Sequence, residues 1–233
     1  MFTLKHENRI GKSLSLLFFI IVIIEVVIEF FFDKGLLFFF KPLLSIGIMF
    51  LYWNMSKKRN WLFFIVLFLS LITNVLFIPN TQYLLFLGLL VFLVHRILLI
   101  YYVIQLIKLK DYIPFFIAII PFVFIFFYLL LISNGIDTKS YVLLVFQNIL
   151  ISVIGGLALS EYLMDPNKKN AWLFIFGLLS LTQYFIVFIE KYYLSNLAPI
   201  VFRPLAMLLN AGVYYVFYRF VIDAETNAMK NIS

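Results

Sequence analysis

The chain has no cysteine, so disulfides and thiolate metal sites are closed to it. Histidine is scarce: His6 and His95 are the whole supply. A metal centre would rest on His95 and carboxylates alone. No Gly-rich phosphate loop, spaced ligand cluster or nucleophile elbow occurs. Neither a metal nor a cofactor is therefore expected. Charge is the third shortage. Charged residues make up 12% of the 233 and hydrophobic ones 65%, with a mean hydropathy of +1.09. That lack of polar surface excludes a water-soluble domain.

What fills the chain instead is apolar runs. A helix needs about 20 apolar residues to cross the hydrocarbon core. Eight stretches approach that length: about Leu14–Phe32, Leu36–Tyr52, Trp61–Ile78, Tyr83–Ile107, Tyr112–Ile132, Tyr141–Leu163, Trp172–Ile189 and Pro199–Ile222. Their connections are too short to hold a soluble domain. The expectation is a single all-α domain over 1–233, a polytopic bundle of eight transmembrane helices. The first stretch carries Glu25 and Glu29 and lacks a small-residue cleavage site, so it reads as a retained span rather than a signal peptide. Asn227 to Ser233 reads as a frayed tail.

The net charge of +7 is a topology signal. Counted by loop, twelve Lys and Arg fall on the N-terminal side of an eight-span bundle. Four fall on the other side: Lys34, Lys41, Lys139 and Lys191. Cytoplasmic loops carry the basic excess, so both termini are expected in the cytoplasm of a bacterial inner membrane. No nucleic-acid partner is implied. One internal echo stands out: Lys57-Lys58-Arg59-Asn60-Trp61-Leu62-Phe63 resembles Lys168-Lys169-Asn170-Ala171-Trp172-Leu173-Phe174. It suggests that spans 3 and 7 correspond in a four-plus-four repeat.

Polar groups inside the spans gather at one depth. With the N-terminus inside, Glu29, Lys41, Asn74, Gln147, Asn148, Gln183 and Arg203 fall in the outer half, and Glu25, His95, Arg96 and Asn210 near the middle. Gln105, Glu161 and boundary charges are what the inner half holds. A charge within lipid is costly and marks function by default. Glu25, Glu29, Lys41, His95, Arg96 and Arg203 are thus expected to face one another in a polar cavity of the outer half. The bland readings are snorkelling for Lys41, Glu29 and Arg203. For Asn74, Gln147, Asn148, Gln183 and Asn210 the bland reading is interhelical hydrogen bonding.

A family resemblance follows from four elements in order. Lys41-Pro42-Leu43 opens span 2. Thr73-Asn74 lies near the outer end of span 3. Phe86-x-Gly88-x-x-x-Phe92-x-x-His95 runs through span 4, and Thr182-Gln183 sits in span 7. The chain resembles the YhhN family of bacterial membrane proteins, related to animal lysoplasmalogenases. The resemblance implies a hydrolase that cleaves the vinyl ether bond of lysoplasmalogen-type lysophospholipids. The family pattern places an Asp at each of the positions held here by Asn74 and Gln183, and neither amide donates a carboxylic proton. Glu25 and Glu29 are then the replacement carboxylates, His95 a further acid-base candidate, and Lys41, Arg96, Arg203 and Asn210 the substrate-binding set. A non-catalytic lipid-binding or structural bundle is the alternative. A transporter would call for helices broken at midplane, and these spans read as continuous.

Overall fold

The computed structural model describes residues 2–31, 34–79, 81–107, 111–133, 136–194 and 197–230. Eight α-helices carry the fold: α1 Phe2–Phe31, α2 Leu37–Met55, α3 Trp61–Leu76, α4 Gln82–Leu106, α5 Tyr112–Ile132, α6 Thr138–Met164, α7 Lys168–Phe188 and α8 Phe202–Lys230. A 3₁₀ turn, Lys34–Leu36, leads into α2, and a π-helical turn, Ile189–Tyr193, extends α7. No strand occurs among the described residues. Several helices outrun the apolar stretches that predicted them. The basic segment before Leu14 is helical, and α8 continues through Asn227 to Lys230, where a frayed tail was expected. Phe32, the expected end of the first span, lies outside the described residues, as do Lys108 and Lys110 of the loop-charge count and the tail beyond Lys230.

Local chemistry sets several helix starts. Asn60 accepts from the Leu62 N–H, Asp111 from Ile113, and Asn167 from Asn170, each filling one of the donors a first turn leaves open. Asp137 caps α6 through the Lys139 and Ser140 N–H groups. The Ser140 hydroxyl, with the Lys139 N–H behind it, holds the Asp137 carboxyl below its usual range. A depressed carboxylate pKa makes the cap's contribution present above the ordinary value and lost as pH falls through the lowered one.

Among the described residues, seven helices are long and apolar enough to cross a membrane: 10–31 of α1, then α2, α4, α5, α6, α7 with its π turn, and 202–229 of α8. Seven such helices make a multi-pass membrane protein, and side chains such as Phe39, Phe124 and Leu131 are exposed on its outer faces for lipid. The third expected span differs. At 16 residues α3 is about 24 Å long, against a hydrocarbon core of about 30 Å.

Successive helices pack against one another except α4 and α5, and α3 reaches the same two ends as its neighbours. At one end Gly11 lies under the Met55 sulfur, Asn60 N–H donates to the Tyr52 hydroxyl, and Lys168 pairs with Asp223. At the other, Phe77 packs on Gly88 and under the Lys191 ammonium, and Arg203 meets Glu29. Helix α8 runs through the middle of the contacts, against α1, α2, α4 and α7, and buries Phe217, Phe220 and Val221. Helix α5 sits outside this ring on α6.

The α5–α6 seam depends on Gly156. A Cβ there would come within 3.2 Å of the Ile119 backbone nitrogen and 3.3 Å of its Cα. Gly156→Val should lower thermal stability by about 1–3 kcal/mol, the usual cost of overpacking. Gly35→Ala, with nothing within 4 Å of a new Cβ, serves as the neutral control in the same melting experiment.

Candidate functional site

Two cavities adjoin, the outer where α1 and α7 end and α2 and α8 begin, the inner among α3, α4, α6, α7 and α8. The outer one, about 130 Å³, is a charged vestibule lined by Glu25, Glu29, Lys41, Glu190, Lys191 and Arg203. Glu25 and Glu29 are four apart and share a face of α1. Arg203, in the first turn of α8, is the tie: its Nε donates to Glu190 Oε1 at 2.7 Å and its Nη1 lies 3.8 Å from Glu29 Oε1. Glu25 is 2% exposed, and its Oε2 has no hydrogen-bond partner. Lys41 stands in the electrostatic field of Glu25, Glu29, Glu190 and Arg203. The π turn brings Glu190 in. It replaces the α register with an i to i+5 bond, Leu194 N–H to Ile189 O at 2.8 Å, and Glu190 is buried beneath it.

The inner cavity, about 120 Å³, is walled by Leu67, Leu99, Ile154, Phe176 and Phe217 among others. Asn74, Phe77, Gln183, Val187 and Asn210 line both cavities and form the partition between them. The partition is hydrogen-bonded. Gln183 Nε2 donates to Asn210 Oδ1 at 3.1 Å, Asn74 Nδ2 donates to the Tyr214 hydroxyl at 2.6 Å, and Ser70 and Tyr214 share a short hydroxyl–hydroxyl bond. Beyond the partition lie His95 and Arg96. His95 stacks on Phe92, with centroids 5.6 Å apart and planes within 7°. The Arg96 guanidinium lies 4.4 Å from the Phe92 ring centre and 4.8 Å from that of Tyr184.

All nine predicted site residues line one or both cavities. Glu25, Glu29, Lys41 and Arg203 line the vestibule, His95 and Arg96 the inner chamber, and Asn74, Gln183 and Asn210 both. The six ionisable groups expected to face one another in one cavity are divided, four in the vestibule and two in the inner chamber. Among the described residues, Arg203 and Glu29 are the two of the six that pair with each other, Arg203 also pairs with Glu190, and Arg96 is met by aromatic faces rather than carboxylates. Gln147 and Asn148 line neither cavity. Gln147 bonds the Leu89 carbonyl, and Asn148 bonds the Phe126 carbonyl and the Tyr184 hydroxyl, which is interhelical bonding. Among the described residues no three His, Asp or Glu side chains cluster in a metal-binding arrangement.

The sequence reading missed Glu190, Tyr184, Tyr214 and Ser70. Spacing was the available signal: Arg203, Asn210 and Tyr214 stand seven and four apart, Ser70 and Asn74 four, Gln183 and Glu190 seven. Each set is one helix stripe. The reading also left the other end of the bundle too bare. There Glu225 is buried, accepting from the Tyr52 and Ser56 hydroxyls at 2.6 Å each. Ser56 in turn accepts from the Lys58 and Arg59 N–H groups. This second polar knot fixes the basic α2–α3 turn to α8.

No protein-family model, curated protein or solved structure matches this chain.

Arg203 carries the vestibule's coupling. Arg203→Met should destabilise the protein by about 1–2 kcal/mol, below the usual cost of breaking a buried pair because its side chain is 40% exposed to screening. Adding Glu190→Gln should recover part of that loss. A double-mutant cycle on melting curves in detergent reads the coupling directly.

Proposed function

We propose that this protein is an eight-span membrane protein that handles single-chain amphiphiles of the lysophospholipid type. The observation that carries the reading is the partition. Asn74 on α3 and Gln183 on α7 stand at the positions where the resembled YhhN pattern has acids, and both line both cavities. A charged vestibule joined to a chamber with aliphatic and aromatic walls offers an amphiphile both polar and apolar contacts.

On this reading the reaction is vinyl ether hydrolysis. A carboxylic acid protonates the β-carbon of the enol ether, water adds to the resulting oxocarbenium carbon, and the hemiacetal collapses to an aldehyde and a glycerophospho-alcohol. Glu25 is the proton donor that the amides cannot be. Glu29, held by Arg203, is the carboxylate that stabilises positive charge or takes a proton from water. His95 lies across the partition from them. The non-catalytic alternative draws on the same partition, because Asn74 and Gln183 are engaged with Tyr214 and Asn210. Purified protein incubated with alkenyl and acyl lysophospholipids decides between the two. Aldehyde should appear from the alkenyl lipid alone, and Glu25→Gln should reduce its rate by at least about a hundredfold, as loss of a general acid does. Lipid retained without aldehyde selects the binding reading.

The orientation rests on the twelve-to-four basic bias and on α3 joining the same two ends as its neighbours. Both termini are cytoplasmic on this reading, in a bacterial inner membrane. The cysteine-free chain allows a direct test in intact cells. A cysteine replacing Lys139 should react with an impermeant maleimide from outside. One replacing Lys58 should react after the membrane is opened.

A further inference from the structure

We infer that the inner chamber is an anion seat: the ligand's carboxylate or phosphate ester docks on Arg96, not on Lys41 and Arg203 at the mouth. This rests on the amphiphile reading for the ligand's chain, and on the chamber's own residues for its charge.

The electrostatics of the two cavities differ. The vestibule holds three cations, Lys41, Lys191 and Arg203, and three carboxylates, Glu25, Glu29 and Glu190. Arg203 is already bound to two of those acids. With Glu25 protonated for catalysis, two carboxylates still serve the three cations. Among the described residues, no Asp or Glu lines the inner chamber. Arg96 is 5% exposed, its Nη1 has no hydrogen-bond partner, and it makes no ion pair among the described residues. Ring faces meet the guanidinium on Phe92 and Tyr184, and they leave the Nη1 donors without an acceptor among the described residues.

A desolvated cation without a counter-ion is among the more costly things a membrane bundle can hold. The cost is recovered when a ligand brings the anion. The neighbours agree with that assignment. Ser180, Tyr214 and the amides Asn74, Gln183 and Asn210 add hydrogen-bonding groups on the chamber's polar side, and the remaining walls are aliphatic and aromatic. Guanidinium is the side chain best matched to planar or tetrahedral oxyanions. The vestibule then acts as the polar passage to this seat, with carboxylates facing its cations.

The test uses the full-length protein in nanodiscs of phosphatidylcholine, with dodecanoate, dodecyl phosphate and dodecanol as probes. At least one anionic probe should bind about tenfold or more tightly than dodecanol, the scale of a hydrogen bond to a charged group. The two anionic arms tell carboxylate from phosphate ester. Arg96→Met should abolish the preference, while Lys41→Met and Arg203→Met keep it. A second readout needs no ligand: Arg96→Met should raise the melting temperature of the empty protein, because it removes an uncompensated buried charge. A charge preference lost in the Lys41 or Arg203 variants and kept in Arg96→Met overturns the inference. So does a melting temperature that falls in Arg96→Met. Equal binding of all three probes also overturns it and leaves the lipid reading standing. Formate or inorganic phosphate binding through Arg96, with no amphiphile bound, keeps the anion seat and removes the lipid.

Discussion

Arg203 binds two carboxylates from two other helices, and the polar half of the bundle is organised around that tie. In hydrocarbon a charged side chain has no water to fall back on, so it must find partners among neighbouring helices. Glu190 and Glu29 meet that demand from α7 and α1. The tie fixes the end of α7 against the start of α8 and sets the mouth of the vestibule. The π turn at Ile189–Tyr193 belongs to the same solution, since it delivers Glu190 to a buried position. About two turns further in, uncharged groups satisfy the same constraint: Gln183 on Asn210, and Asn74 and Ser70 on Tyr214.

The result is a division of labour by charge. Opposite charges meet in the vestibule. In the chamber the Arg96 guanidinium meets the rings of Phe92 and Tyr184. Coulombic attraction inside a low-dielectric bundle is strong, so a buried cation in a chamber without carboxylates stands out. Such groups separate sites from scaffolding. The Glu225 knot at the opposite end, with both carboxylate oxygens accepting hydroxyl hydrogen bonds, has the opposite character: it is satisfied, and it holds a turn.

Much of the site was legible because lipid makes polar residues conspicuous. Glu25, His95, Arg96, Asn74 and Gln183 stand out in runs of Leu, Ile and Phe, and depth arithmetic puts them near a common level. Tyr214 and Tyr184 were not legible, since a tyrosine among apolar residues reads as packing until its hydroxyl is seen bonded. Gln147 and Asn148 had the right depth and the wrong helix face, because depth comes from counting while direction depends on helix rotation. Glu190 was not singled out, since it falls past the apolar stretch and an ideal α-helix has no reason to turn it inward. Glu225 was overlooked because helix α8 extends past its apolar stretch.

Hydropathy and charge placement determined by themselves that this is an all-helical membrane bundle with polar groups weighted to one half. Those are sums along a single dimension, and burial in lipid penalises polar residues wherever the neighbours lie. Pairing is a different quantity. Which acid meets Arg203, which amides form the partition and which cation is left alone depend on helix rotation and contact in three dimensions. Only packing decides them, because the energy of a charge in a membrane is set by the few atoms that touch it.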